Sequence, residues 1–225
     1  MRLIATYKAG CVLAMTVALT STFAASKKEV DELMSRDGLQ KISVKGIDLA
    51  YARPGATLSA YQRVKLDAVE VEFSKSWDPI KTGSRMKLST QEREDIRSGV
   101  ARIVQEEFAN ELQKNKYQIA SDAGPDVLRV KASIVNLYLN APDGGNLGRS
   151  RTIVRSAGEM TLLAELYDSA SGLLLARVAD RQEANSGTRM QISNSVVNEG
   201  EARTIAATWA RTLRKALDKA QRIGS

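Results

Sequence analysis

Met160-Thr161-Leu162-Leu163-Ala164-Glu165-Leu166-Tyr167-Asp168-Ser169-Ala170-Ser171-Gly172-Leu173-Leu174-Leu175-Ala176-Arg177-Val178 decides the fold class. Met160, Leu162, Ala164 and Leu166 alternate with Thr161, Leu163 and Glu165, which is the period-2 pattern of a strand with one buried face. Asp168 to Gly172 is a run of small and turn-forming residues, with Gly free to take a positive φ. Leu173 to Arg181 then returns. Two strands joined by so short a connection pair antiparallel. The core of the fold therefore contains a β-hairpin, with its first strand read from Val154 to Tyr167.

Upstream of the hairpin, Val127 to Leu139 reads as a further strand. Leu128, Val130, Ala132 and Ile134 share one phase, and Val135, Leu137 and Leu139 take the other. Tyr61 to Phe73 has the same form: Val64, Leu66 and Ala68, then Val69, Val71 and Phe73. A one-residue slip swaps faces, so each strand is expected to carry a β-bulge or a bend. Tyr117 to Ala120 is a short strand, and Leu39 to Tyr51 holds Ile42, Val44 and Ile47 at loosely strand-like spacing.

Two helices frame these strands. Ser89 with Glu92 three residues on makes a capping box. Ile96, Val100, Ile103, Val104, Phe108 and Leu112 then fall on one helical stripe running toward Asn115. The last helix is read as capped by Asn198 with Glu201, and Ile205, Trp209, Leu213, Leu217 and Ala220 form its apolar face. The resulting expectation is an α+β domain of order β-α-β-β-β-β-α. It has a mainly antiparallel, curled sheet with the two long amphipathic helices packed on one face.

The N-terminal residues set the compartment. Arg2 and Lys8 precede an apolar run from Ala9 to Leu19, and Thr22 and Ala24 suit the −3 and −1 positions of a cleavage site. This is the pattern of a secretory signal peptide. The expected organisation is residues 1–24 as signal, 25–39 as an N-terminal arm and 40–222 as a single domain. The expected location is the periplasm, peripheral to the outer membrane. Cys11 follows Ala9 and Gly10 as in a lipid-attachment motif, but Lys8 stands where that motif has an apolar residue, so lipidation at Cys11 is not expected.

Composition removes whole classes of chemistry. The chain has no His, and Cys11 is its one Cys. Cys nucleophiles, Ser–His–Asp triads and the usual zinc sites are thereby excluded. Carboxylate, Lys or Tyr chemistry survives. Glu70 and Glu72 share a strand face about 7 Å apart at Cα, close to Asp67, and paired carboxylates can hydrolyse glycosides. Such a pattern is also that of a solvated strand face. The net charge of +7 suits solubility or anionic partners. Export argues against nucleic acid. No cofactor or metal is expected.

Two surface features qualify as binding sites. Arg149, Arg151 and Arg155 lie beside Gly144, Gly145 and Gly148, where guanidinium groups and backbone amides can hold an anion. The alternative is a solvated connection between strands. Trp77, in a polar connection, is either a partner-binding anchor or a ring folded back over the sheet edge. The expected role is a non-enzymatic protein-binding or accessory module of the cell envelope. The alternatives are a binder of anionic lipid or glycan through the Arg/Gly loop, and a carboxylate hydrolase of envelope polymers.

Several segments together resemble a known family. They are Gly46-Ile47-Asp48-Leu49-Ala50-Tyr51-Ala52-Arg53-Pro54-Gly55-Ala56, Leu58-Ser59-Ala60-Tyr61, Val64 to Phe73, Trp77 with Pro79, Pro125-Asp126-Val127-Leu128-Arg129-Val130, and Tyr167-Asp168-Ser169 with Gly172. The chain is similar over residues 38–222 to a Gram-negative envelope family catalogued as domain of unknown function 3313. The resemblance implies an exported protein, in a family with many lipoproteins, and it implies no activity or site residues.

Overall fold

The computed structural model describes residues 27–78, 80, 88–114, 117–139, 153–154, 156–185, 191–192 and 195–224. The proposed signal, Cys11, and Arg149, Arg151 and Arg155 lie outside them. The chain divides into two compact units, Met1–Leu33 and Met34–Ser225. Helix α1, Lys27–Ser35, begins in the first unit, and a 3-10 turn at Arg36–Gly38 follows it.

The second unit is α+β. Its strands are β1 (Gln40–Ile42), β2 (Leu49–Ala52), β3 (Arg63–Leu66), β4 (Glu70–Phe73), β5 (Gln118–Ile119), β6 (Val127–Leu139), β7 (Ile153–Val154), β8 (Ser156–Asp168), β9 (Leu174–Asn185) and β10 (Gln191–Ile192). Its helices are α2 (Thr90–Gln113), between β4 and β5, and α3 (Ser195–Gly224) at the end. Among the described residues one sheet has eight strands in the order β1-β2-β9-β8-β6-β3-β5, with β4 also paired to β6, and β7 and β10 form a separate two-stranded ribbon.

The sheet is mixed, which corrects the expectation of a mainly antiparallel one. The hairpin of β8 and β9 is antiparallel, as is β6 with β8. By contrast, β3 and β4 both run parallel to β6, and β5 runs parallel to β3. The cause is α2. It crosses over between β4 and β6, and a helical crossover of a dozen or more residues is what parallel pairing requires. The order is also corrected, because β1 and β2 precede the expected first strand and Tyr61–Phe73 divides into β3 and β4. The helix α3 starts at Ser195, three residues before the expected cap at Asn198, since Ser195-Val196-Val197 contains no helix breaker.

Both phase slips have a structural basis. The first falls in the break between β3 and β4, where the Asp67 amide still donates to the Val130 carbonyl at 3.0 Å. The second is a bulge in β6, where the register against β8 shifts between Val135 and Tyr138 and Asn136 takes φ 55°. The hairpin turn is held by Asp168, whose Oδ1 accepts from the Ser171 amide at 2.7 Å and hydroxyl at 2.6 Å.

One sheet face is apolar. Ala132 pairs with Ala164 and Ile134 with Leu162 across β6 and β8, and Ala164 pairs with Val178 on β9. Val100, Ile103, Val104 and Phe108 of α2 and Ile205, Ala206, Trp209 and Ala210 of α3 pack in the same buried cluster. Both long helices thus pack on one face, and burying these side chains is the main favourable contribution to folding. The opposite face carries a run of charged and aromatic contacts. Asp67 binds Arg129 at 2.7 Å, Arg129 lies over the Tyr167 ring, the Tyr167 hydroxyl donates to Glu165, and Glu165 binds Arg177 at 2.8 Å.

Candidate functional site

The site is the cavity left where the first half of α2, the start of α3 and the ends of β6, β8 and β9 meet. Its volume is about 250 Å³. Ile96, Val100 and Ile103 contribute from α2, Ile205 and Ala202 from α3, Leu137 and Leu139 from β6, and Met160 from β8. Small residues leave the space. Gly99 faces it from α2, where an added Cβ would meet nothing within 4 Å, and Gly158 and Ala184 face it from the sheet. Gly158 is needed for another reason: a Cβ there would run into the Tyr138 carbonyl oxygen.

The bulge in β6 builds one wall. It swaps the strand's phase, so that Leu137 is buried beyond the point where Ile134 ends the first phase. Trp77 holds the same segment in place. Its Nε1 donates to the Leu139 carbonyl at 2.9 Å, and its ring stacks on Phe73 with centroids 4.3 Å apart. Arg93 and Arg97 of α2 lie over this aromatic pair at 5.3 Å from Trp77 and Phe73, respectively. Trp77 is only 6% exposed. It is folded back on the sheet edge, where it supports the cavity wall.

The mouth is charged. Asp95, Arg102, Glu159, Glu199 and Glu201 border it. Arg203 of α3 binds Glu106 and Glu107 of α2 at 3.1 Å and Glu199 at 3.2 Å. Arg102 binds Glu106 at 2.9 Å. Hydrogen bonds from Arg102 and Arg203 hold the Glu106 carboxyl below the usual range, and hydrogen bonds to Glu106, Glu107 and Glu199 push Arg203 up. Glu159 is paired with Arg181 of β9. These pairs fasten α2 to α3 and β8 to β9 around the opening.

Such an arrangement can strip water from an apolar group and surround its neighbours with carboxylates. The carboxylates singled out from the sequence are elsewhere. Asp67 is engaged by Arg129, while Glu70 and Glu72 project from β4 into solvent. Among the described residues no group of three or more acidic side chains converges as a metal site would require, and no helix is long and apolar enough to cross a membrane.

Sequence reasoning missed the cavity because its walls come from five elements spread over more than a hundred residues. It had one visible trace, a glycine inside a helix. An interior helical Gly costs about 1 kcal/mol relative to Ala, so its presence signals a packing or functional reason. Asp180 was missed as well. Its carboxylate is 1% exposed and accepts from the Trp209 Nε1 at 2.7 Å, the Asp48 amide at 3.0 Å and the Gln182 side-chain amide at 2.7 Å.

Several solved structures show a distant likeness to this chain. The PelC dodecamer from Paraburkholderia phytofirmans is 10% identical, with a TM-score of 0.38 over 77% of this chain and 96% of that one. A DUF330 protein from Xanthomonas campestris is 9% identical, with a TM-score of 0.41 over 77% of this chain and 93% of that one. A DUF4136 family protein from Bacteroides thetaiotaomicron is 12% identical, with a TM-score of 0.36 over 80% of this chain and 98% of that one. Likeness at this level carries no functional argument. A search of curated proteins gives no significant match. The family model for DUF3313, proteins of unknown function, matches residues 28–213, and the chain belongs to that family.

Proposed function

We propose that this chain is an exported, non-enzymatic module of the cell envelope that binds another envelope protein. The observation that carries the reading is the apolar cavity between α2 and α3, whose walls are aliphatic and whose charged groups stay at the rim. A catalytic cleft would instead bring polar groups together on a reacting atom. The export pattern of residues 1–24 supports a periplasmic setting, and the resemblance of residues 38–222 to an envelope family agrees with it.

Crosslinking in intact cells, followed by capture of the tagged protein and mass spectrometry, tests this. The expected result is one envelope protein recovered repeatedly and retained at moderate salt. Binding only to anionic vesicles, lost as salt rises, would replace the proposal with a lipid-surface role through Arg149, Arg151 and Arg155. Turnover of an envelope polymer that disappears in Glu70→Gln and Glu72→Gln would replace it with a hydrolase.

A further inference from the structure

The cavity size and the charge of its mouth together describe what enters it. At about 250 Å³ it exceeds the roughly 150 Å³ apolar cavity that takes up one benzene molecule. It is smaller than the roughly 300–1,000 Å³ of sites that enclose a whole small-molecule ligand. That range fits one large side chain and part of a neighbour. A single apolar or aromatic anchor seated in a desolvated pocket is the usual form of an interface hot spot.

The mouth sets the sign of the flanking residues. Among the described residues that line it are four carboxylates, Asp95, Glu159, Glu199 and Glu201, and one cation, Arg102. Glu159 and Glu199 are neutralised by Arg181 and by Arg102 with Arg203. Asp95 accepts a hydrogen bond from the Gln91 side chain at 2.8 Å, and neither it nor Glu201 has an ion pair among the described residues. Among the described residues, two acidic side chains without an ion pair therefore stand on the two helices that flank the opening. The chain as a whole carries +7, so this acidic mouth is a local reversal of the molecular charge. Complementary charge steers and orients a partner more than it adds affinity.

We propose that this cavity receives a Leu or aromatic anchor from a partner segment with Lys or Arg on either side of the anchor. The proposal rests on the protein-binding reading and assigns it a contact. Gly99 supplies the critical variant. An added Cβ there meets nothing within 4 Å, and Gly99 lines the cavity, so Gly99→Leu is expected to fill the mouth while removing a helix-weakening residue.

The probe is the capped peptide Lys-Lys-Leu-Trp-Lys-Lys, titrated into the full-length protein with its Ile methyl groups labelled for NMR. The Ile96, Ile103 and Ile205 methyls should shift. Gly99→Leu should weaken binding at least about tenfold without lowering the melting temperature. Asp95→Asn with Glu201→Gln should weaken binding at low salt, and the difference should close as salt screens the mouth. Equal shifts with Glu-Glu-Leu-Trp-Glu-Glu, shifts only with dodecanoate, or no methyl shift with any probe would each overturn the proposal. A crosslinked partner captured equally by wild type and Gly99→Leu would overturn the pocket assignment and leave the module reading standing. Peptide binding as described, with no partner captured from cells, would remove the module reading alone.

Discussion

Asp180 is a buried carboxyl group on the helix-facing side of the sheet. Its two oxygens receive three N–H donors, from Trp209 on α3, from the backbone at Asp48 and from Gln182 two residues along β9. A buried carboxylate is tolerable only when its hydrogen bonds are made, and here they also fix α3 against β9. Asp180→Ala leaves the buried Trp209 indole N–H without its acceptor and should cost about 1–3 kcal/mol, the usual penalty for one such group. Trp209→Ala should cost about 3–5 kcal/mol, the range for a buried aromatic truncated to Ala. Because the two residues share one bond, the double variant should fall short of the sum by about 0.5–3 kcal/mol. Denaturant midpoints check all three, and strict additivity would mean that the Trp209–Asp180 bond contributes nothing. Asp180 shares a strand phase with Ala176 and Val178, a signal that the reading of Leu173 to Arg181 left unused. Its partner, 29 residues away on another element, could not be read from local pattern.

At the scale of elements, α2 was the most legible feature. The Ser89 hydroxyl accepts from the Glu92 amide at 3.2 Å, and the Glu92 carboxylate accepts from the Ser89 amide at 2.7 Å, as the capping-box pattern predicts. Ser89→Ala should cost about 1 kcal/mol. Gly99→Ala should gain about 0.5–1 kcal/mol, because the site is helical and unobstructed. A loss of stability there would mean that the cavity mouth is already filled. The strands were legible in phase but not in partnership. The slip after Ile134 was visible, and Asn136 resolves it by entering the left-handed region, at φ 55°. Asn136→Gly should be tolerated, whereas Asn136→Val should cost about 1–2 kcal/mol, the usual cost of that conformation for an L-residue, and should also disturb Leu137 and Leu139. The parallel pairing was misjudged, although its cause was on view. A helix as long as α2 between two strands is a crossover, and reading the hairpin alone left that inference unmade.

At the scale of the whole molecule, ends distant in sequence are joined by charge as well as by packing. Glu111, near the end of α2, is 8% exposed and meets Arg214 of α3 and Lys114, each at 3.0 Å. Arg214 also binds Asp218 at 2.9 Å, and the Tyr117 hydroxyl donates to Asp218 at 3.0 Å. Burial and that hydrogen bond push the Tyr117 hydroxyl up to about 12. For Glu111 the opposing influences are unequal. Burial raises its pKa, but hydrogen bonds and charge from Lys114 and Arg214 outweigh it and hold the carboxyl below the usual range. The folded group therefore binds its proton less readily than the unfolded one, whose pKa is about 4.3. Its contribution is present in full above that value and is lost as pH falls through the depressed folded pKa. Glu111→Gln should lower stability at neutral pH by about 2 kcal/mol, in the range for a hydrogen bond to a charged group. The gap to wild type should hold steady down to about pH 5 and narrow below about pH 4. Urea unfolding across that range measures it. A gap that widened in acid would show that burial dominates at Glu111, and α2 and α3 would then be held at this end by packing alone.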